Sequence, residues 1–442
     1  MHHTPAQRIL NLWLILMLGL GAGVHATESL MMTDIPAASV ARESTLGMTA
    51  PPSGGEDSAT EPSALIDAVV RYQNSINELQ KAHGVYDDRI GEELTGLGLA
   101  YRNLGQYREA IEAFNRSLYI KRINHGLHNL DQIPVLEQII ATNTALYDWE
   151  ALDRNYQYLY WINRRSFGVT DPRLLPVIDR LAIWHLNAYE LASDPIPFKH
   201  LLTAESLFYD AVTIIEANYG AYDQRLINPL YGIALANYQM ALHAYSSGDF
   251  NEIRSSSRYL NHLDSMLEQE EAIQILISDC YRAGKQAMLK VIEIHAHNPD
   301  LPAANHGIAL IHLGDWYLLF NRRSTANETY ALAYAKLTDS GMQKDAIDQL
   351  LAQPRSLPAL QMSMAYQQQE EDSDDNYVVA RFDVSKTGHA RNIEIIEAKP
   401  ADNESLQRRA KETIRTTRFR PRLEDGQPVE TTDVNIRYVI HE

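Results

Sequence analysis

Residues 97–118 have the sequence LGLAYRNLGQYREAIEAFNRSL and contain two helical segments separated by a short break. Apolar residues recur every three or four positions on both sides of the break, which is the spacing of an amphipathic helix. The small residues Gly98 and Ala110 allow two antiparallel helices to approach closely, while Tyr101 and Phe114 fill the space around them. The stretch therefore predicts a tightly packed helical hairpin.

A glycine-centred signature recurs along the chain and gives the helical part its period. Each copy has an aromatic residue or histidine, then glycine, then a polar stretch ending in isoleucine or leucine. The glycines are Gly84, Gly126, Gly168 and Gly220, spaced 42, 42 and 52 residues apart, with an insertion around SDPIPF after Ala192 in the third interval. Glycine can end a helix because it adopts the left-handed backbone conformation without steric strain. The aspartates three positions later (Asp87, Asp171 and Asp223) can cap the next helix. Each period is thus a helix pair, and such pairs bury their apolar faces by stacking into a solenoid.

This pattern resembles the tetratricopeptide repeat, and its period resembles the long-repeat variety of kinesin light chains. The residues that define the repeat are Gly98, Tyr101, Ala110, Gly314, Tyr317 and Ala326. The resemblance implies a concave face formed by the first helix of each repeat, where protein partners bind. The residues expected on that face are Thr95, Arg102, Asn103, Tyr231, Tyr238 and Asp315. The alternative for each is a solvated position or a contact with a neighbouring repeat.

One known ligand class of these repeats is not predicted. The Lys/Asn clamp that holds C-terminal carboxylates in the family is absent, because Thr95 and Leu99 stand at two of its positions. A chaperone-tail ligand is therefore not expected.

From Asn376 onward the apolar period changes from helical to two, the period of a strand. The predicted elements are strands over Tyr377–Val384 and His389–Ala398, a helix over Glu404–Thr416, a strand over Phe419–Leu423 before the Asp425-Gly426 turn, and a last strand over Val429–Ile440. The predicted fold class is mainly α, a helical-hairpin solenoid followed by a small β-β-α-β-β domain.

This C-terminal segment resembles the C-terminal domain of TonB-family proteins. The matching residues are Phe382, Val384, Gly388, Ala410, Arg418, Phe419, Pro421, Gly426, Pro428 and Val429. The resemblance implies that an extended peptide pairs with the last strand through main-chain hydrogen bonds. The residues expected at that edge are Asp433, Asn435, Arg437 and Tyr438.

The N-terminus has the features of an export signal. Arg8 supplies a positive charge, Ile9–Leu20 is apolar except for Asn11, and Val24-His25-Ala26 resembles a cleavage site. We predict a signal peptide over residues 1–26 and a mature chain from about Thr27. An uncleaved inner-membrane anchor is the alternative. The remaining predicted boundaries are a disordered linker over 27–63, the helical repeats over 64–360, an acidic linker over 361–375 and the small domain over 376–442.

The charge and the scarcity of catalytic motifs narrow the classes of function. The net charge is −18, and the acidic excess lies before Asn376, which disfavours nucleic acid and anionic lipid as partners. The single cysteine, Cys280, cannot form an intramolecular disulfide and is expected to be buried. His295 and His297 are two positions apart, and residues at that spacing do not lie on the same face of a helix, so they are not expected to form a metal site. No metal site, cofactor or catalytic residue is predicted, so the chain is expected not to be an enzyme.

The leading hypothesis is a non-enzymatic periplasmic scaffold that binds other proteins or peptides, such as an outer-membrane or envelope protein. The alternative is an inner-membrane-anchored TonB-family energy transducer for outer-membrane transport. The chain lacks the long Pro-rich span by which TonB crosses the periplasm, which favours the scaffold. An enzyme with a site in the degenerate region from Leu260 to His306 is the third hypothesis, from a different class.

Overall fold

The computed structural model describes residues 62–191, 196–247, 253, 269–358 and 377–439. The α-helices before the small domain are α1 (Pro62–His83), α2 (Asp88–Asn103), α3 (Tyr107–His125), α4 (Ile133–Ala145), α5 (Trp149–Phe167), α6 (Leu175–Glu190), α7 (Phe198–Tyr219), α8 (Ile227–Ser247), α9 (Gln269–His297), α10 (Ala304–Leu319), α11 (Arg323–Asp339) and α12 (Lys344–Leu351). Among the described helices, α2 packs against α3, α4 against α5, α6 against α7, α8 against α9 and α10 against α11, and α1 packs against α2. The predicted helical-hairpin solenoid is confirmed.

The recurring glycines end α1, α3, α5 and α7 as predicted, although their conformation differs from the usual left-handed cap. Gly126 has φ 86° and ψ 164°, and Gly168 has φ 91° and ψ 167°. This region of backbone space is essentially restricted to glycine. Asp87 accepts a hydrogen bond from the backbone N–H of Arg89 and caps α2. Asp171 and Asp223 instead cap short 3-10 turns that lead into α6 and α8.

Two glycines of the repeat pattern lie where the paired helices approach most closely. A Cβ atom added to Gly98 would lie 2.4 Å from a ring carbon of Phe114, and one added to Gly314 would lie 2.5 Å from a ring carbon of Tyr330. Phe114 and Tyr330 are buried, and Ala110 and Ala326 are fully buried beside them in the second helices. The small residues of the pattern therefore have the packing role that the sequence predicts.

We expect Gly98→Ala to destabilise the folded state by about 1–3 kcal/mol, because the added methyl group overpacks the α2–α3 interface. Gly91→Ala in the same helix is the matched control, since its Cβ would lie 3.5 Å from Ile120, an ordinary contact. That control should be neutral or stabilising by up to about 1 kcal/mol through helix propensity. Urea denaturation followed by circular dichroism gives both values, and equal effects of the two substitutions would contradict the packing argument.

The small domain contains β2 (Tyr377–Val384), β3 (Ala390–Lys399), α13 (Glu404–Thr416), β4 (Phe419–Arg420), β5 (Arg422–Glu424), β6 (Gln427–Val429) and β7 (Thr431–Val439). Its main sheet is antiparallel with strand order β3-β2-β7, and α13 packs across β3 and β2. Side chains of β2 alternate between core and surface, and Phe382 packs against Phe419 and Ile414. The predicted β-β-α-β-β order is confirmed, with its third strand divided into β4 and β5.

A short strand precedes the small domain within the range predicted to be helical repeats. β1 (Arg355–Ser356) pairs antiparallel with β4, placing Arg355 opposite Arg420 and Ser356 opposite Phe419. The backbone N–H of Leu357 also donates to the carbonyl of Arg418 at 2.8 Å. The prediction of helical repeats up to residue 360 is wrong here, because a two-residue strand has no apolar period that a sequence could display.

Several predictions concern the N-terminus and the linkers. The predicted signal peptide and the acidic linker over 361–375 lie outside the described residues, as does nearly all of the linker over 27–63. Within the part of the chain that is described, no helix has both the length and the apolar character needed to cross a membrane.

Cys280 is buried in α9, as predicted, and burial raises the pKa of its thiol.

Candidate partner-binding surfaces

The residues predicted on the concave face lie on α2, α8 and α10, the first helices of three pairs. At the N-terminal end, Arg102 donates a hydrogen bond from Nη1 to Oε1 of Gln138 at 2.6 Å, which bridges α2 and α4. Asn103 is exposed at the end of α2. These two residues therefore lie along the row of first helices.

Thr95 lies instead between the two helices of its own pair. Its hydroxyl donates to the carbonyl of Gly91 at 2.9 Å and is also 2.9 Å from the hydroxyl of Ser117 in α3. Ser117 is fully buried. The prediction that Thr95 belongs to the concave face is wrong, because its short polar side chain is satisfied inside the hairpin.

At the other end of the row, Tyr231 and Tyr238 contact the following helix pair. Tyr231 is buried, and its hydroxyl is 2.8 Å from Nδ1 of His312 in α10. Tyr238 packs edge-on against Phe320 with ring centroids 6.2 Å apart, and burial raises the pKa of its hydroxyl to about 12. Burial also lowers the pKa of His312 to about 3, with the positive charges of Arg420 and Arg355 adding to the effect. These tyrosines connect neighbouring repeats, which is the alternative the sequence left open.

Asp315 forms the polar centre of the contact between the helical repeats and the small domain. Its Oδ1 atom is 3.0 Å from Nε of Arg420 in β4, and it accepts a hydrogen bond from the hydroxyl of Tyr330 at 2.8 Å. The side chains of Asp315 and Arg420 are both buried. Burial raises the pKa of the Asp315 carboxyl, and the adjacent Arg420 guanidinium opposes that shift. The prediction of Asp315 on an open face is wrong, because the chain's own C-terminal segment covers it.

Further contacts of the segment after α13 extend this interface along the last helices. Arg418 donates from Nη2 to Oδ1 of Asn321 at 2.7 Å, and Leu423 belongs to the apolar core of the helical repeats. At the turn between β5 and β6, Asp425 accepts from Nζ of Lys344 at 2.9 Å and from the hydroxyl of Tyr334 at 3.1 Å. The small domain is therefore docked on the last helical pair through apolar, ionic and strand contacts.

The second predicted surface, the edge strand β7, is at the outside of the main sheet. Asp433, Asn435 and Arg437 are exposed, whereas Val434 and Tyr438 are buried in the core. The backbone N–H of Asp433 donates to Oδ1 of Asp383 at 3.1 Å. Arg437 lies over the ring of Tyr377 on β2, with its guanidinium carbon 4.0 Å from the ring centroid. The prediction that Tyr438 contacts a partner is wrong, because the period of two directs its ring into the core.

The two edges of the sheet differ in regularity. Six consecutive residue pairs join β2 and β7, from Tyr377 opposite Val439 to Phe382 opposite Val434; this pairing is interrupted once, after Phe382, where Asp433 has a positive φ of 57°. The pairing of β2 with β3 is interrupted twice, and Asn392 in β3 has a positive φ of 52°. Bulges and twists of this kind reduce the ability of an edge to accept another strand. β7 is thus the more regular of the two edges.

A separate cluster of metal-ligating side chains lies in the middle of the helical repeats. Asp153, His185 and His200 each place one ligand atom within 4.8 Å of the others. The sequence analysis missed this cluster, because the three residues belong to three different helices and have no local spacing that signals a site. His295 and His297 do not belong to it, and His297 stacks on Tyr222 with ring centroids 4.5 Å apart.

Two protein families match parts of the chain. Residues 91–124 match the tetratricopeptide repeat, and residues 367–440 match the family described as Gram-negative bacterial TonB protein C-terminal. The predicted combination of these two interaction domains is therefore confirmed. The comparison with curated proteins finds no relative. Among solved structures, the crystal structure of BtubC (BKLC) from P. vanneervenii has 11% sequence identity and a TM-score of 0.30, covering 64% of this chain and 94% of that chain.

Proposed function

We propose that this protein is a non-enzymatic scaffold of the Gram-negative periplasm that captures an extended segment of another protein on β7. The helical repeats, which contact the small domain at their C-terminal end, present a second protein-binding face. A partner with a free strand or an unstructured terminus, such as an outer-membrane or envelope protein, has the chemistry that such an edge recognises.

The observation that carries this proposal is the uninterrupted stretch of β7 from Val434 to Val439, whose outer edge pairs with no other strand in the described part of the chain. A strand whose buried side chains are already in place offers its outer row of N–H and C=O groups without any change of fold. Val434 and Tyr438 anchor β7 in the core, and the exposed side chains between them are polar. Such an edge binds mainly through its main chain, so the polar side chains select among partners rather than supply most of the affinity.

The helical repeats supply the second face at the end away from the small domain. There the first helices α2 and α4 are joined by the hydrogen bond between Arg102 and Gln138, and Asn103 is exposed. We assign partner binding to this end because Asp315 at the other end is already paired with Arg420.

A site-specific crosslinking experiment tests the capture of a strand by β7. A photo-reactive amino acid at Asn435 of the full-length protein in cells should give a discrete crosslinked protein, because a strand added to β7 would lie beside this position. The matched control carries the same group at Glu397, an exposed position on β3, the irregular edge. We expect crosslinking from position 435 at least about tenfold above position 397.

Equal yields from both positions, or a yield from neither, would refute capture on β7. The location is tested separately by determining the N-terminus of the mature protein in periplasmic and membrane fractions. A chain that begins near Thr27 in the periplasmic fraction supports the scaffold. An intact N-terminus in the inner membrane would instead support an anchored transducer.

A further inference from the structure

Three helices from two successive repeats bring together two histidines and one aspartate. Asp153 lies in α5, His185 near the end of α6 and His200 in the first turn of α7. Both histidines are buried, and Asp153 is half-buried. One ligand atom from each residue lies within 4.8 Å of the other two, although the residues are well separated in sequence. The cluster is independent of β7 and of the contact between Asp315 and Arg420.

The histidines face each other through nitrogen atoms. Nδ1 of His185 is 2.8 Å from Nδ1 of His200, and the ring centroids are 5.1 Å apart. Burial lowers the pKa of His185, with the neighbouring His200 adding to the effect. A neutral imidazole is the form that binds a metal ion.

The carboxylate of the cluster is held in place by neighbouring side chains. Oδ1 of Asp153 accepts a hydrogen bond from the indole N–H of Trp184 at 2.9 Å, and Oδ2 accepts from the amide of Gln157 at 2.8 Å. Trp184 is buried and stacks on Tyr156 with ring centroids 5.6 Å apart. Each carboxylate oxygen has a second lone pair, and partners of this kind orient a ligating carboxylate.

We propose that Asp153, His185 and His200 bind one Zn²⁺ ion that links α5 of one repeat to α6 and α7 of the next. Two imidazole nitrogens and one carboxylate oxygen, completed by water, form a ligand set that zinc accepts in tetrahedral geometry. Ligand atoms about 2.1 Å from the ion stand about 3.4 Å apart in such a site, so binding separates the two Nδ1 atoms by about half an ångström. The ion joins helices on both sides of the insertion between α6 and α7.

The competing explanation is a hydrogen bond between two neutral histidines, which needs no ion. A hydrogen bond accounts for the 2.8 Å between the two Nδ1 atoms, and the Asp153 carboxylate then serves as the acceptor for Trp184 and Gln157. The two explanations differ in a measurable way. Only the metal site gains stability on addition of zinc, because a ligand that binds the folded state raises its stability by mass action.

The test uses the full-length protein, stripped of metal by a chelator and then given ZnCl₂. Elemental analysis after gel filtration should find about one more zinc ion per chain than in the variants H185Q and H200Q. Zinc at a hundredfold excess over its dissociation constant should raise the Tm of the wild type by about 5 °C and leave both variants unchanged. Co²⁺ in place of Zn²⁺ should give the visible absorption of a tetrahedral ion in the wild type alone.

His125→Gln is the matched control, because His125 pairs with the Asp88 carboxylate at 2.9 Å and belongs to no group of three metal-ligating side chains among the described residues. This variant should bind zinc as the wild type does. Asp153→Asn, which preserves the size of the half-buried side chain, decides the result if a histidine variant does not fold. Zinc content that is equal in the wild type and D153N, or a wild type that binds no zinc, would overturn the proposal.

Discussion

Asp315→Ala is expected to lower the free energy of unfolding by about 3–5 kcal/mol, because it leaves the buried Arg420 guanidinium without its partner. Asp315 also accepts a hydrogen bond from the hydroxyl of the fully buried Tyr330, so the substitution removes a second polar contact. The loss should appear in urea denaturation of the full-length protein. Limited proteolysis should cut the small domain of the variant faster, since this contact joins it to α10.

An exposed ion pair at the same interface provides the control. Lys344 and Asp425 are 2.9 Å apart, with side chains 66% and 70% exposed, and such pairs contribute about 0–1 kcal/mol. Lys344→Ala should therefore have little effect. The double substitution D315L/R420M should recover most of the stability lost in D315A, because it removes both buried charges together. If D315A is no more destabilising than K344A, the buried pair does not hold the domains together.

Gly388→Ala is expected to destabilise the small domain by about 3–5 kcal/mol, because backbone strain and a backbone clash coincide at this turn. Gly388 has φ 75°, and an added Cβ would lie 2.1 Å from the carbonyl oxygen of Phe419. The Phe419 N–H also donates to the carbonyl of Gly388 at 2.8 Å, so the two backbones cannot separate without losing this bond. Amide hydrogen exchange in β2 and β3 measures the effect.

Gly84→Ala is the control that separates backbone strain from the steric clash. Gly84 has φ 89°, but beyond its chain neighbours no described residue has an atom within 4 Å of the position of an added Cβ, so this substitution incurs only the conformational cost of about 1–3 kcal/mol. Its effect should be confined to the α1–α2 connection. If Gly388→Ala destabilises the protein no more than Gly84→Ala does, the close approach of Gly388 to the Phe419 carbonyl adds no steric cost.

Local features of the chain were predicted well from sequence. The strand Tyr377–Val384 and the helix Glu404–Thr416 have the bounds that were predicted, since a regular apolar period extends over each element. The close packing of Gly98 against Phe114 also followed from the spacing of small and aromatic residues. These features depend on contacts within one strand, one helix or one hairpin, which a single sequence displays directly.

The functional surfaces were predicted less well, because their exposure depends on what packs over them. Asp315 was placed on the correct helix, but nothing near it in sequence indicates that Arg420 would cover it. Tyr438 was assigned to the edge of β7, although the same alternation that identifies the strand directs its ring into the core. The Asp153, His185 and His200 cluster arises from the stacking of two repeats, which leaves no local motif.

The docking of the small domain has a mechanical consequence for any strand captured on β7. Only Glu430 separates β7 from β6, and β6 forms a hairpin with β5 whose turn is held by Lys344 and Tyr334. Leu423 in that hairpin is embedded in the core of the helical repeats. Tension on a strand captured on β7 would therefore be carried across a single residue into the last helices.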